Sequence, residues 1–282
     1  MEQLKPDKKD MIEAIKRSGY LLESMVSKYL SESGFFVESN QVIVDPFTEK
    51  SREIDLVAEY HNFDASSRSE HKCVSKINFV FEIKNNSAPL VLLTQFEHSP
   101  NIEDWLGLKE RQTFPEEMPE KYFTGFWDDL INKNRGQIFT QYCSFQRKKQ
   151  NSELMALHPD DIHIGLSKIS QYCEEAIETW GRESIDRKNG YFRNLIHLPV
   201  LLISEDLYEL TYNEEGNADL KEVEQSILVH NYHHKDEPSM AYIYVVTKKG
   251  FEKFIKNMLK LEQKIELDMI KFRQKTVVQQ RI

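Results

Sequence analysis

Cysteine is scarce in this sequence, and the residues present form no pattern: Cys73, Cys143 and Cys173 are odd in number, far apart, and none sits in a CxxC pair. A disulfide framework and a zinc knuckle therefore have little support. Long apolar runs are missing too. No stretch approaches about 18 uninterrupted apolar residues, and the first thirty residues are rich in Lys and Asp with no apolar segment. Neither a transmembrane helix nor a signal peptide is expected, and the expected location is cytoplasmic, away from membranes. Basic charge is also short, with 37 Lys plus Arg against 46 Asp plus Glu and a net charge of −9. This argues against coating nucleic acid through bulk basicity, and not against a local basic site. There is no internal repeat and no low-complexity tract.

Apolar and aromatic residues, by contrast, are plentiful. In 282 residues, 40% are apolar, including 16 Phe, 12 Tyr and 3 Trp. That is enough apolar area to offset the entropy of ordering the chain, so disorder is excluded as the main state. Asp7 reads as a helix cap, and Ile12, Ile15, Leu22, Val26, Tyr29 and Leu30 recur at helical spacing. One amphipathic helix is expected, ending near Gly34. Strand-like segments follow at 35–44, 51–60 and 77–84, the last reading INFVFEIK. Residues 94–134, with Pro100, Pro115 and Pro119, read as an insertion. Helical patterns are expected near Gln137 and over Asp160 to Trp180, and a buried strand at Pro199 to Ser204. Further strands are expected at 226–232 and 241–246. A long final helix carries Phe251, Phe254, Met258, Leu261, Ile265, Met269 and Phe272 at spacings of three or four.

The chemistry centres on INFVFEIK. Alternation sends Ile77, Phe79, Phe81 and Ile83 to one face, and Glu82 and Lys84 to the other, about 7 Å apart. In REIDLVAEY the same alternation separates Asp55 from Ile54 and Leu56. If the two strands pair, Asp55 stands beside Glu82. Two carboxylates and an amine on one sheet face suit a magnesium ion, which takes oxygen ligands and keeps waters for substrate and nucleophile. Lys84 could orient or deprotonate a water, or stabilise charge on a phosphoryl oxygen. Glu23 borders the apolar stripe of the first helix, where a carboxylate is costly unless satisfied. Gly19, one turn earlier, would let that helix approach the sheet closely.

A helix with GYLLESMV, a hairpin with Ile54-Asp55, a strand with Glu82-Ile83-Lys84 and a helix with Gln137 and Gln141 follow one another. In that order the chain resembles the PD-(D/E)XK nuclease superfamily, over residues 15–93 and more loosely 135–205. The resemblance implies an α/β fold with a restriction-endonuclease-like core. That core runs α-β-β-β-α-β, with a central mixed sheet flanked by helices. It further implies a single nuclease domain over 1–282, with an insertion at about 94–134 and a C-terminal helical extension at about 248–282. Asp55 and Glu82 would hold Mg2+, or Mn2+ in its place, with the Ile83 carbonyl as third ligand. Lys84 would be the catalytic lysine, Glu23 the supporting carboxylate of the first helix, and Gln137 or Gln141 the helical glutamine. The substrate would be DNA. The family's Pro before the Asp is replaced by Ile54, and the insertion has no counterpart in the core.

Other signals are weaker. Arg135, Arg147 and Lys148 are candidate phosphate contacts, as is Lys248-Lys249, and each is equally an ordinary solvated charge. Trp105, Trp127 and Trp180 could stack on bases but are more often core residues. In HNYHH, strand alternation sends His233 and His234 to opposite faces, which speaks against a zinc set. The final helix either covers the core or pairs with a second copy in a homodimer. The rival to a nuclease is a non-catalytic DNA-binding or protein-interaction subunit of the same fold.

Overall fold

Asp7 has extended backbone, and its carboxylate accepts from the Asp10 amide at 2.8 Å, so helix α1 (Lys8–Ser18) begins at its cap. It stops at Gly19, whose φ of +91° suits glycine and which also opens α2 (Tyr20–Glu32). The single helix expected from Asp7 to Gly34 is therefore two. The Asn85 side-chain amide donates to the carbonyls of Lys16 at 2.7 Å and Arg17 at 3.2 Å, satisfying groups that the break leaves open. Leu22, Val26 and Leu30 of α2 are buried, whereas α1 buries nothing and leaves Ile12 and Ile15 exposed.

The computed structural model describes residues 5–44, 50–61, 73–95, 112–113, 138–149, 152–180, 185–186, 191–235 and 237–279. The insertion expected at 94–134 falls almost wholly outside them, as do Trp105, Trp127, Arg135 and Gln137. The strands are β1 (Phe36–Val44), β2 (Ser51–His61), β3 (Cys73–Lys84), β4 (Leu90–Gln95), β5 (Gln112–Thr113), β6 (Ile138–Arg147) and β7 (Leu154–Leu157). After helix α3 (Asp160–Trp180) come β8 (Ile185–Asp186), β9 (Tyr191–Ile203), β10 (Leu207–Tyr212), β11 (Ala218–Val223), β12 (Gln225–His234) and β13 (Glu237–Thr247), and then α4 (Phe251–Gln279). The fold is α/β: one mixed sheet in the order β1-β2-β3-β9-β13-β12-β6-β4-β10-β11, with four helices among the described residues.

The helix expected near Gln137 is instead strand β6. Ile138, Phe139, Thr140 and Tyr142 are β-branched or aromatic, and β6 sits between β12 and β4, so sheet pairing overrides a weak helical spacing. The hairpin β10–β11 has no counterpart among the expected elements. In contrast, β9 and β13 appear as the near-continuous apolar runs of strands buried on both faces.

Each face of the sheet has its own core. Phe79 and Phe81 lie with Leu22, Val26 and Leu30 of α2 and Phe251, Phe254 and Met258 of α4. Val80, Leu201 and Ile203 lie with Ile162, Leu166, Ile169 and Cys173 of α3. Alternation in β3 thus feeds two layers, and each fully buried Phe contributes about 1.5–3 kcal/mol. The apolar stripe of α4 is used on the chain's own core: Ile265 and Met269 are buried, and Leu261 and Phe272 pack against it.

Where α3 meets β12, three imidazoles meet edge to face. The ring centroids of His158 and His163 are 5.2 Å apart and those of His163 and His230 are 5.0 Å apart. The Tyr142 hydroxyl is 3.2 Å from His163 Nδ1, and the Ser167 hydroxyl is 2.9 Å from His230 Nε2. Burial, with His163 and His158 beside it, brings His230 down from 6.5 to about 4. The unfolded chain then binds the proton more readily, so this contribution is intact above about pH 6.5 and is lost as pH falls toward 4. The loss should reach about 3 kcal/mol. Urea unfolding from pH 7 to 4 should show a steeper decline for the wild type than for His230→Gln; parallel curves would refute the assignment. His233 is exposed and His234 buried, as alternation requires.

Candidate functional site

The antiparallel ladder between β2 and β3 ends at Leu56 and Phe81. One residue further on, the Asp55 carboxylate takes over: its Oδ2 accepts from the Ile83 amide at 2.7 Å. This fixes Asp55 beside Glu82, on the sheet face covered by α3. Glu82 is buried at 2% exposure, which demands compensation for its charge. Two ammoniums provide it. Lys84 Nζ is 2.8 Å from Glu82 Oε1, and Lys168 Nζ, reaching down from α3, is 2.5 Å from Glu82 Oε2 and 3.4 Å from Asp55 Oδ1.

Helix α3 comes this close because residue 165 is glycine. A Cβ there would lie 2.6 Å from both Cγ and Oε1 of Glu82. Asp161, Gly165 and Lys168 are spaced by four and three, so they share one helix face. On the other side, α2 brings in Glu23. Burial, and then the Asp55 and Glu82 charges, push its carboxyl above the usual range, with Lys168 and Lys84 partly offsetting them. Burial draws the Lys84 ammonium down, but Glu82, Asp55 and Asp161 outweigh it and hold it above the ordinary lysine value. Glu23, Asp55 and Glu82 thus meet Lys84 and Lys168 at the carboxyl end of β3, with Asp161 nearby. There Ser204, just beyond the parallel strand β9, donates its amide to the Lys84 carbonyl at 3.0 Å. The carboxyl ends of parallel strands are the usual place for ligands in open α/β sheets.

Of the residues singled out in the sequence, Asp55, Glu82, Lys84 and Glu23 are brought together. Gln141 is not: it is exposed on β6 and accepts from the Thr94 hydroxyl at 2.7 Å. Arg147 and Lys148 lie at the end of the same strand, which is four strands from β3 and so about 19 Å away. Arg147 donates to the Ser152 carbonyl and Lys148 pairs with Glu153. Lys249 pairs with Asp206 and Glu222. Sequence reasoning missed Lys168 and Gly165. Lys168 borders the stripe of Ile162, Leu166 and Ile169 just as Glu23 borders that of α2, which marks it as near the core but not which partner it meets.

Among the described residues no three His, Cys, Asp or Glu side chains are grouped so as to hold a metal ion by themselves. At this site the Lys168 ammonium stands where the two carboxylates converge. The donor chemistry nevertheless suits a hard divalent cation, because Asp55 and Glu82 offer oxygens to one common cationic nitrogen. The Ile83 carbonyl points to the same side of β3 as its amide, toward Asp55. No helix among the described residues is long and apolar enough to cross a membrane. Comparison with protein-family models, curated proteins and solved structures finds no match to this chain.

Proposed function

We propose that this chain is a metal-dependent nuclease with a restriction-endonuclease-like core, hydrolysing phosphodiester bonds of DNA. The observation that carries the reading is the meeting of Asp55, Glu82 and Lys84 at the carboxyl end of β3, with Glu23 beside them. The element order supports it: α2, β1, β2, β3, then α3 and β9, with β9 parallel to β3. In this reading β4 to β7 interrupt the core.

Asp55 and Glu82, with the Ile83 carbonyl, would hold Mg2+ or Mn2+. Bound magnesium supplies charge compensation and Lewis-acid polarisation of a phosphoryl group. Lys84 directs its ammonium at the attacking water or at a phosphoryl oxygen, and Lys168 adds a second positive charge on the same face. Glu23, close enough to feel the Asp55 and Glu82 charges, would support the site as a third carboxylate. The net charge of −9 confines DNA contact to a local patch.

Supercoiled plasmid, linear duplex and single-stranded DNA, each with magnesium, manganese or EDTA, test the reading. We expect metal-dependent cutting that falls at least about 100-fold in Lys84→Ala. No cutting on any substrate, with manganese and excess protein, overturns it. One observation favours the rival, a non-catalytic interaction subunit. Met11, Ile12 and Ile15 of α1 and Tyr20, Leu21 and Met25 of α2 are exposed apolar side chains, a surface a partner or a second copy could cover.

A further inference from the structure

Beside the carboxylates lies a cavity of about 400 Å³, within the size range of small-ligand sites. It opens on the same sheet face and under the same helix as the site. Two cross-strand rows floor it. Glu38 pairs with Val57 and Val57 with Val80; Phe36 pairs with Glu59, Glu59 with Asn78 and Asn78 with His197. On β2, Asp55, Val57 and Glu59 alternate onto one face, so the rows begin about 7 Å from Asp55 and end about 13 Å from it. On α3, Tyr172 lies one turn beyond Lys168 and lines the cavity. The spacing matches one to two nucleotide steps from a phosphate held at Asp55 and Glu82.

The lining selects among the parts of a nucleotide. Phe36 is 62% exposed at the sheet edge, and Tyr172 faces the cavity from the helix, so two aromatic rings border the space. Glu38 and Glu59 bring two carboxylates to its lining, against one lysine among the described lining residues, Lys76, whose Nζ is 2.7 Å from Glu59 Oε1. A phosphate is therefore repelled. A flat, uncharged heterocycle with hydrogen-bonding edges is accepted: the rings offer a stacking face, and Asn78 offers both a donor and an acceptor.

We propose that this cavity is a nucleobase subsite, holding a base of the substrate strand next to the phosphodiester at Asp55 and Glu82. The inference rests on the nuclease reading for its substrate. It gives that acidic chain a way to hold DNA that does not depend on phosphate charge.

Fluorescence anisotropy in EDTA, with the full chain, separates base from phosphate. The probes are a fluorescein-labelled single-stranded 12-mer and an abasic 12-mer with the same phosphates. We expect the wild type to bind the base-bearing strand about tenfold tighter. Tyr172→Ala should shrink that gap to under about threefold while leaving abasic binding unchanged, and Tyr172→Phe should keep it. Melting temperatures of both variants confirm that they are folded. Equal affinity for the two strands, a gap that survives Tyr172→Ala, or no binding of either strand overturns the subsite. A protein that cuts DNA but cannot tell the strands apart loses the subsite and keeps the nuclease reading. One that tells them apart without cutting with any metal loses the nuclease reading and keeps a base-binding site.

Discussion

Replacing Lys168 by methionine should lower the unfolding free energy by about 3 kcal/mol in metal-free buffer, because Glu82 and Asp55 then face each other with one ammonium fewer. Lys168 and Glu82 side chains are only 11% and 3% exposed, so water cannot replace the lost partner. Adding magnesium should then raise the melting temperature of Lys168→Met more than that of the wild type. In the wild type a divalent ion competes with the ammonium, whereas in the variant it enters a site already short of positive charge. Urea unfolding and thermal melts, with and without magnesium, read both effects. A variant that is destabilised but indifferent to magnesium and manganese would show an ion-pair cluster that binds no metal, and the metal-dependent reading would fall.

Gly165→Ala is the second large effect, and its sign is the opposite of the usual one. Alanine in a helix interior ordinarily gains about 1 kcal/mol over glycine. Here the new Cβ would press on Glu82 Cγ and Oε1 at 2.6 Å, and Glu82 is pinned from both sides by lysines. We expect a net loss of about 1–3 kcal/mol, as for overpacked cores, together with a fall in any metal-dependent cutting. The double variant Gly165→Ala/Glu82→Ala isolates the cause. Without the Glu82 side chain the clash disappears, so adding Gly165→Ala to Glu82→Ala should be neutral or stabilising. If alanine costs the same in both backgrounds, Glu82 is not what α3 is shaped around.

Much of the carboxylate site was legible because it lies on two neighbouring strands. Period-two alternation puts Glu82 and Lys84 on one face of β3, and pairing with the neighbouring β2 then sets Asp55 beside Glu82. The break at Gly19 was written in the sequence as well, with Lys16 and Arg17 in a last turn before a glycine, but the apolar spacing that continues through α2 masked it. Ile12 and Ile15 carry the helical period and still find no core, so periodicity reports amphipathicity rather than burial. Ile138, Tyr142 and Phe145 fit a helix by spacing alone; the β-branched and aromatic content between them was the better guide. Lys168 lies 84 residues beyond Lys84 in the numbering. Its arrival at Glu82 depends on how α3 crosses the sheet, which no local pattern encodes. The hairpin β10–β11 was hidden for a related reason: all but one residue of β11 is exposed, so it carries no apolar signature.

The hydrogen bond from the Ile83 amide to Asp55 has a consequence in time. Exposed side chains change rotamer in picoseconds to nanoseconds, but one that closes a sheet ladder must wait for the strands to breathe. Asp55 thus keeps one oxygen engaged and presents the other in a fixed direction, and the solvent exchange of a single backbone proton, that of Ile83, becomes a clock for how often the carboxylate lets go.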